Sequence, residues 1–142
     1  MILWRISKFE TLDGTGGLVT SGRWHTAGRP VVYCAEHPAL SLLEVLVHLE
    51  VAAMPRDLRW LKIEGPDRFE TYPGPLRDLS SSHTTQAFGD LWLAEARSPL
   101  LRVPSAIAPE SFNWLINPVH SESGGARIAA TYDHEFDARL AR

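Results

Sequence analysis

The stretch that decides the fold runs from Gly22 to Leu49 and reads GRWHTAGRPVVYCAEHPALSLLEVLVHL. Its residues 30–34, PVVYC, are β-branched and apolar, as in a short strand, and the run that follows Pro38 is rich in good helix formers. Proline suits the first turn of a helix because its missing N–H needs no partner there. The stretch therefore predicts a strand followed directly by a helix, with an arginine, a tyrosine and a carboxylate set among apolar residues.

The predicted helix, from residue 39 to residue 53, is apolar over most of its circumference, so we expect it to be buried. Three polar residues interrupt it, Ser41, Glu44 and His48, and they fall within about 60° of one another on the helical wheel. This stripe faces either a thin strip of solvent or an internal cleft, and spacing alone favours neither. A buried carboxylate is costly without a partner. Glu44 is therefore expected to pair, and the nearest basic candidates before it in sequence are Arg23 and Arg29.

Length and composition indicate one globular domain over residues 1–142, large enough to bury a core. The formal net charge is −3 and the basic residues are scattered, which disfavours nucleic acid as a direct partner. No apolar run approaches the roughly 20 residues that span a membrane, and the N-terminal segment lacks the small-residue cleavage site of a secretory signal. The single cysteine, Cys34, excludes an internal disulfide. These features predict a cytoplasmic protein without a membrane partner.

Elsewhere the chain alternates short strand patterns with one further helical pattern. A second helix is predicted over residues 84–96, with Phe88, Leu91 and Trp92 facing inward. A strand pattern over residues 100–107 is broken at Pro104. Because strands outnumber helices and their order is mixed, the sequence predicts an α+β fold. The remaining predicted strands cover residues 2–7, 58–64 and 127–131, and residues 22–28 are expected to form an exposed loop.

Several common chemistries find no support in the sequence. The six histidines show no close-paired ligand spacing, so no metal site is predicted. Cys34 ends an apolar strand and is interpreted as a core residue rather than a nucleophile. There is no GxSxG nucleophile turn, and Glu44 has no obvious companion for a pair of glycosidase carboxylates. What remains is one carboxylate, several arginines, a tyrosine and small hydroxyls.

This set of residues suits cleavage of an N-glycosidic bond in a phosphate-rich dinucleotide such as NAD. Breaking the nicotinamide–ribose bond develops positive charge on the ribose, which a fixed carboxylate stabilises. Arginine matches phosphate oxygens with two parallel hydrogen bonds. A tyrosine ring offers a stacking face for the nicotinamide. The leaving group is already good, so neither a strong acid nor a metal is required.

Short segments along almost the whole chain carry a resemblance to a known family. They are, in chain order, Trp4-Arg5, GRWH with Arg23, PVVY with Tyr33, SLLEVLVHL with Glu44 and His48, GDLWL with Gly89, VPSAI with Ser105, and NWLINPVH with Asn117. Their order and spacing resemble the RES-domain family, the toxin half of bacterial Xre–RES toxin–antitoxin pairs. One departure is His25, where the family commonly has asparagine. The resemblance implies a compact α+β fold like that of ADP-ribosyltransferases, with short strands and flanking helices around an NAD cleft.

The resemblance also implies roles for individual residues. The Arg, Glu and Ser of the family's name map onto Arg23, Glu44 and Ser105. Glu44 would be the catalytic carboxylate, and Arg23 would act in both catalysis and NAD binding. A purely structural role stays open for Tyr33 as a half-buried strand aromatic, Ser105 as a serine capping a turn, and Asn117 as part of an Asn-Pro turn. Without the resemblance, Arg23 is equally well interpreted as a surface loop arginine, and Arg5 as a solvated arginine at a strand end. The implied NAD-binding residues are Arg5, Arg23, Tyr33, Ser105 and Asn117.

The function that the resemblance implies is that of a toxin of a type II toxin–antitoxin system. It would consume NAD as its substrate, either as a glycohydrolase or phosphorylase or by transferring ADP-ribose to a protein target. Its partner would be a cognate Xre-type antitoxin. The alternative is a non-catalytic module on the same fold that binds a nucleotide or a partner. An RNA-acting toxin is disfavoured by the acidic balance of the chain.

Overall fold

A computed structural model describes residues 1–49, 53–133 and 135–141 and shows a mixed α+β fold. The predicted fold class is therefore confirmed. Three α-helices accompany the strands in these residues: α1 (Gly16–Val19), α2 (Pro38–Leu46) and α3 (Ser82–Glu95). Short 3-10 turns cover Leu76–Ser80, Ser121–Gly125 and Ala138–Ala141. The strands are β1 (Ile2–Ser7), β2 (Val32–Ala35), β3 (Arg59–Glu64), β4 (Phe69–Thr71), β5 (Leu100–Pro104), β6 (Phe112–Ile116) and β7 (Arg127–Tyr132).

These strands form one sheet in the order β4-β5-β6-β2-β1-β3-β7, antiparallel except for the β4–β5 pair. Strand β1 is in register with β3 over its whole length, from Ile2 to Ser7. Its register with β2 is limited to the single pair of Trp4 and Ala35. The sheet is therefore continuous but loosely joined in its middle, and β1 and β2 part beyond this pair. The candidate functional site lies in the opening between these two strands.

Two apolar clusters form the core around the sheet. One cluster contains Cys34, and burial raises the pKa of its thiol to about 12. A thiol that stays protonated is a poor nucleophile, so the interpretation of Cys34 as a core residue is confirmed. The other cluster contains Trp92, which is fully buried as predicted. The buried residues of the first cluster are Leu3, Val32, Cys34, Leu61, Ile63, Leu100, Trp114 and Ile116. Those of the second cluster are Trp24, Val31, Tyr72, Trp92, Leu93, Leu101, Val103 and Leu115.

Helix α2 is shorter and more exposed than predicted. It begins at Pro38, as expected, but ends at Leu46, and the predicted continuation over residues 50–52 lies outside the described residues. The prediction of a buried helix is wrong, because Leu43 and Val47 are 41% and 57% exposed. The helix packs on β1 and β2 through one side, and Leu40 and Ser41 are its buried residues. No helix in the described part of the chain has the length and apolarity to cross a membrane.

Other departures from the predictions have local causes. Leu91 of α3 is exposed rather than inward-facing, because the helix buries the adjacent Trp92. Strand β5 ends at Pro104 because the next residues form a turn. The segment over residues 22–28 was predicted as an exposed loop, yet its Trp24 and His25 are 2% exposed. Strands β4 and β6 were not predicted, since each is short and is defined by its neighbours in the sheet.

Candidate functional site

A cleft of about 810 Å³ lies where β1 and β2 part, with α2 along one side and the residue 20–24 segment along another. Residues from elements far apart in sequence line it, so the cleft is a product of the tertiary fold. Four of the six residues proposed for the site from sequence lie on its wall. They are Arg5, Arg23, Tyr33 and Glu44.

The polar stripe of α2 faces this cleft. Ser41, Glu44 and His48 all line it, so the cleft, rather than a thin strip of solvent, accounts for the stripe. The side-chain amide of Asn113 donates a hydrogen bond from Nδ2 to Oε1 of Glu44 at 2.7 Å. The expectation that an arginine would pair with Glu44 is wrong: in the described residues, Glu44 has this amide and no ion pair. No basic side chain among the described residues therefore pairs with the carboxylate of Glu44 beside the cleft.

Two arginines bring positive charge to the same cleft. Arg5 donates from Nη1 to the carbonyl oxygen of Tyr33 at 2.8 Å, and so bridges β1 and β2 where their ladder stops. Arg23 donates from Nη1 to the carbonyl oxygen of Leu79 at 2.5 Å. A guanidinium has five N–H donors, so each side chain has donors to spare. Neither arginine forms an ion pair with a described carboxylate, which leaves both available for an anionic ligand.

Helix α3 holds the segment that carries Arg23. The Thr85 hydroxyl donates to the carbonyl oxygen of Arg23 at 2.5 Å, and the Gln86 amide donates to that of Gly22 at 2.8 Å. One turn further along, the carboxylate of Asp90 accepts from the backbone N–H of Thr26 at 2.9 Å. Residues four apart share a helix face, so these contacts form a continuous strip. The position of Arg23 is therefore fixed by a helix that does not itself carry a proposed catalytic residue.

Tyr33 lines the cleft, but its hydroxyl is engaged inside the protein. The hydroxyl accepts from the backbone N–H of Trp24 at 3.2 Å and lies 2.7 Å from Nδ1 of His25. Because Nε2 of His25 lies 3.1 Å from the carbonyl oxygen of Gly17, the proton of the neutral imidazole belongs on Nε2, and Tyr33 donates to Nδ1. Burial raises the pKa of Tyr33 well above its usual value. Tyr33 can therefore offer a ligand its ring, not a phenolate.

Neither Ser105 nor Asn117 is among the described residues that line the cleft. The Ser105 hydroxyl accepts from the backbone N–H groups of Ile107 at 3.0 Å and Ala108 at 3.3 Å, as in a serine-capped turn. Asn117 is fully buried, and its Oδ1 accepts from the backbone N–H of Val119 at 3.2 Å. The neighbours of Ser105, Pro104 and Ala106, do line the cleft with Glu44, whereas no described neighbour of Asn117 in sequence does. Their ligand roles stay predictions. A turn accounts for the contacts named above, and Nδ2 of Asn117 also donates to the carbonyl oxygen of Leu93 in α3 at 3.4 Å.

Sequence reasoning missed Asn113, the residue that contacts Glu44. It lies on β6, opposite Ala35 of β2, and so next to the point where β1 and β2 part. Asn113 is the first residue of the segment NWLINPVH, but nothing in that segment reveals the contact, because its partner is 69 residues away. Among the described residues, no group of three or more His, Cys, Asp or Glu side chains could hold a metal ion. The groups on which the candidate chemistry depends are the carboxylate of Glu44, the guanidinium groups of Arg5 and Arg23, the amide of Asn113 and the ring of Tyr33.

The protein is thus an α+β domain with a seven-stranded sheet and a cleft where β1 and β2 part. Known proteins resemble it in sequence and in fold. The model of the RES domain matches residues 2–139, and the chain belongs to this family. It is 46% identical over 145 residues to a Pseudomonas putida protein named Toxin Res, covering 99% of both chains. It is 34% identical over 154 residues to a Sphingobium protein named Prs ADP-ribosylating toxin, covering 98% of this chain and 96% of that one.

A solved structure shares the fold. The crystal structure of the M. tuberculosis MbcT-MbcA toxin-antitoxin complex contains a chain that superposes with a TM-score of 0.72 at 18% identity. The match covers 92% of this chain and 82% of that one. At this level of identity the likeness concerns the fold alone.

Proposed function

We propose that this protein is the toxin of a toxin–antitoxin pair and that it consumes NAD by cleaving the nicotinamide–ribose bond. The observation that carries the proposal is the placement of Glu44 in the same cleft as Arg5, Arg23 and Tyr33. The carboxylate and the two arginines form no ion pair with any residue that the structure describes. Such a cleft complements a ligand that carries anionic phosphates and develops a cation during reaction.

Each group then has a distinct task. The guanidinium groups of Arg5 and Arg23 bind the pyrophosphate of NAD, and the ring of Tyr33 packs against the nicotinamide. The bond from ribose C1′ to the nicotinamide nitrogen breaks, and its electron pair leaves with the nicotinamide, which becomes neutral. The carboxylate of Glu44 stabilises the positive charge that remains on the ribose. The acceptor then bonds to C1′ and gives up its proton to water, which completes the transfer of ADP-ribose.

The name of one relative supports a transfer of ADP-ribose, and the name of another supports a role as a toxin. The Sphingobium relative is named an ADP-ribosylating toxin, and the Pseudomonas putida relative is named a toxin. The acceptor that follows from the chemistry is water, phosphate or a protein side chain, corresponding to a glycohydrolase, a phosphorylase or an ADP-ribosyltransferase. We propose that the reaction takes place in the cytoplasm, on the cellular pool of NAD, and without a metal.

We also propose that a cognate antitoxin of the Xre type binds this chain and blocks the cleft. The support is the family membership and the solved toxin–antitoxin complex with the same fold. Co-expression with the neighbouring gene, followed by purification through a tag on this chain, tests the pairing. A complex that lacks NAD-consuming activity is expected, and a neighbour that neither binds nor inhibits would contradict it.

The enzymatic proposal is tested by incubating the purified protein with NAD and following free nicotinamide by chromatography. Mass analysis of the second product, with and without phosphate and cell lysate, identifies the acceptor. In cells, expression should arrest growth while the NAD concentration falls. Tight NAD binding without nicotinamide release would establish the non-catalytic module instead, and arrest with intact NAD and degraded RNA would establish an RNA-acting toxin.

A further inference from the structure

Asn113 combines a contact to Glu44 with an unsatisfied polar atom. Its Nδ2 donates to Oε1 of Glu44 at 2.7 Å. Its Oδ1 is shielded from solvent and has no hydrogen-bond partner among the residues that the structure describes. The orientation of the amide follows from its chemistry, because only the nitrogen can face a carboxylate. The nitrogen of the Asn113 amide is thus hydrogen-bonded, whereas its oxygen has no described partner.

Stability does not account for an asparagine at this position. Asn113 lies on an interior strand, opposite Ala35 on one side and Val103 on the other, and the strand's other residues are Phe112 and the apolar run Trp114–Ile116. Asparagine is disfavoured in strands, and a buried acceptor without a partner costs folding free energy. Leucine has a similar size and would leave no stranded oxygen. An asparagine that weakens the strand needs another reason to be there.

The contact with Glu44 supplies that reason. Helix α2 packs on the sheet through one side only, and its Leu43 and Val47 are exposed. Glu44 has no ion pair in the described residues that would fix its side chain, so the Asn113 amide is the group that ties its carboxylate to the sheet. A hydrogen bond from a rigid strand holds a carboxylate in one rotamer.

We propose that Asn113 is a positioning residue that holds the carboxylate of Glu44 in the cleft at the expense of fold stability. The inference rests on the proposed function in that Glu44 acts on NAD. It goes further by naming the group that orients Glu44 and by stating that this orientation lowers the stability of the fold. It predicts that activity falls while stability is kept or gained when an apolar residue of similar size replaces Asn113.

The first test compares Asn113→Leu with wild type in chemical denaturation and in steady-state nicotinamide release. The denaturation midpoint should equal or exceed that of wild type, because the stranded oxygen is gone. The kcat should fall by roughly 10-fold or more, with the KM for NAD within about 3-fold of wild type, because an interaction that matters in the transition state is lost. Phe112→Leu, on the same strand but outside the described lining of the cleft, is the matched control and should keep its kcat.

A wild-type kcat in Asn113→Leu would overturn the inference. So would a parallel loss of midpoint and activity, since that result identifies Asn113 as a purely structural residue. These outcomes are distinct from failure of the proposed function, in which the wild-type protein itself releases no nicotinamide.

A second test needs neither turnover nor ligand. Asn113→Asp removes the donor and places two carboxylates side by side, so it should lower the denaturation midpoint. In the Glu44→Gln background the new amide can donate to the new carboxylate, and most of that penalty should disappear. An equal penalty in both backgrounds would show that the two side chains do not interact, and would overturn the inference even if Asn113→Leu failed to fold.

Discussion

Gly89 of α3 lies directly beneath the carbonyl oxygen of Trp24, so closely that a Cβ on Gly89 would come within 1.6 Å of that oxygen. No Cβ atom fits at such a distance, so only glycine can occupy this position without a shift of the backbone. The contact continues the strip in which Thr85, Gln86 and Asp90 bond the segment around Arg23. A glycine in the middle of a helix lowers helix stability by about 1 kcal/mol. Here it allows the helix to approach the segment that supplies Arg23 to the cleft.

Replacing Gly89 by alanine should therefore destabilise the protein, even though alanine is the better helix former. The backbone overlap outweighs the propensity gain, and we expect a loss of about 1–3 kcal/mol in the free energy of unfolding. Displacement of Arg23 should also raise the KM for NAD. Gly124→Ala is the control, because nothing lies within 4 Å of a Cβ there. Denaturation curves for both variants and for wild type check the prediction. A Gly89→Ala protein as stable as wild type would contradict it.

Glu44→Gln should keep the contact with Asn113, because the oxygen of the new amide can still accept from Nδ2. It removes the charge that stabilises the ribose cation, so nicotinamide release should fall by at least ~100-fold. Binding of NAD, measured by calorimetry, should change much less. Glu36→Gln, which removes a charge just before α2 but outside the described lining of the cleft, should release nicotinamide at the wild-type rate. Unchanged turnover in Glu44→Gln would refute the catalytic role.

Arg23→Lys should act mainly on the KM for NAD. Lysine keeps the charge but replaces the planar two-pronged donor with a point charge, so it cannot bind pyrophosphate oxygens in the same bidentate way. We expect the KM to rise by about 10-fold with kcat less affected. Arg29→Lys, an exposed arginine of the same segment that is not among the described lining residues, serves as the control. A normal KM in Arg23→Lys would count against phosphate binding there.

Local sequence patterns predicted those elements whose structure depends on near neighbours. The strand and helix on either side of Pro38 follow from β-branched residues and a helix-starting proline, and α2 begins at that residue. The same holds for β1 and α3. Strand β6 escaped prediction because Phe112–Ile116 is short and its pairing partners, β2 and β5, are set by the sheet as a whole.

The residues of the site that could be predicted are those whose chemical type stands out from their apolar surroundings. A lone carboxylate on a polar stripe, an arginine before a strand and a tyrosine within it proved to share a cleft. The partner of Glu44 was not predictable, because contact between α2 and β6 depends on the order of strands in the sheet. For Ser105 the ligand role implied by the resemblance stays a prediction, and the contacts that the structure describes are with the turn that follows β5.

Alkaline pH should destabilise the fold through groups that are buried with their protons on. Burial raises the pKa of Cys34 from 9.0 to about 12 and raises that of Tyr33 above its usual 10.0. The folded state therefore holds these protons at pH values where the unfolded chain releases them. Where the folded state binds more protons than the unfolded state, the free energy of unfolding falls as pH rises.

For Cys34, this loss begins near pH 9 and continues to about pH 12, with a limiting slope of about 1.4 kcal/mol per pH unit for a single proton. Cys34→Ala removes the thiol, so its free energy of unfolding should decline less steeply than that of wild type as the pH rises from 9, even if the variant is less stable at neutral pH. Denaturant titrations at half-unit pH intervals measure both slopes. Parallel slopes for the two proteins would show that the buried thiol does not stay protonated in the folded state.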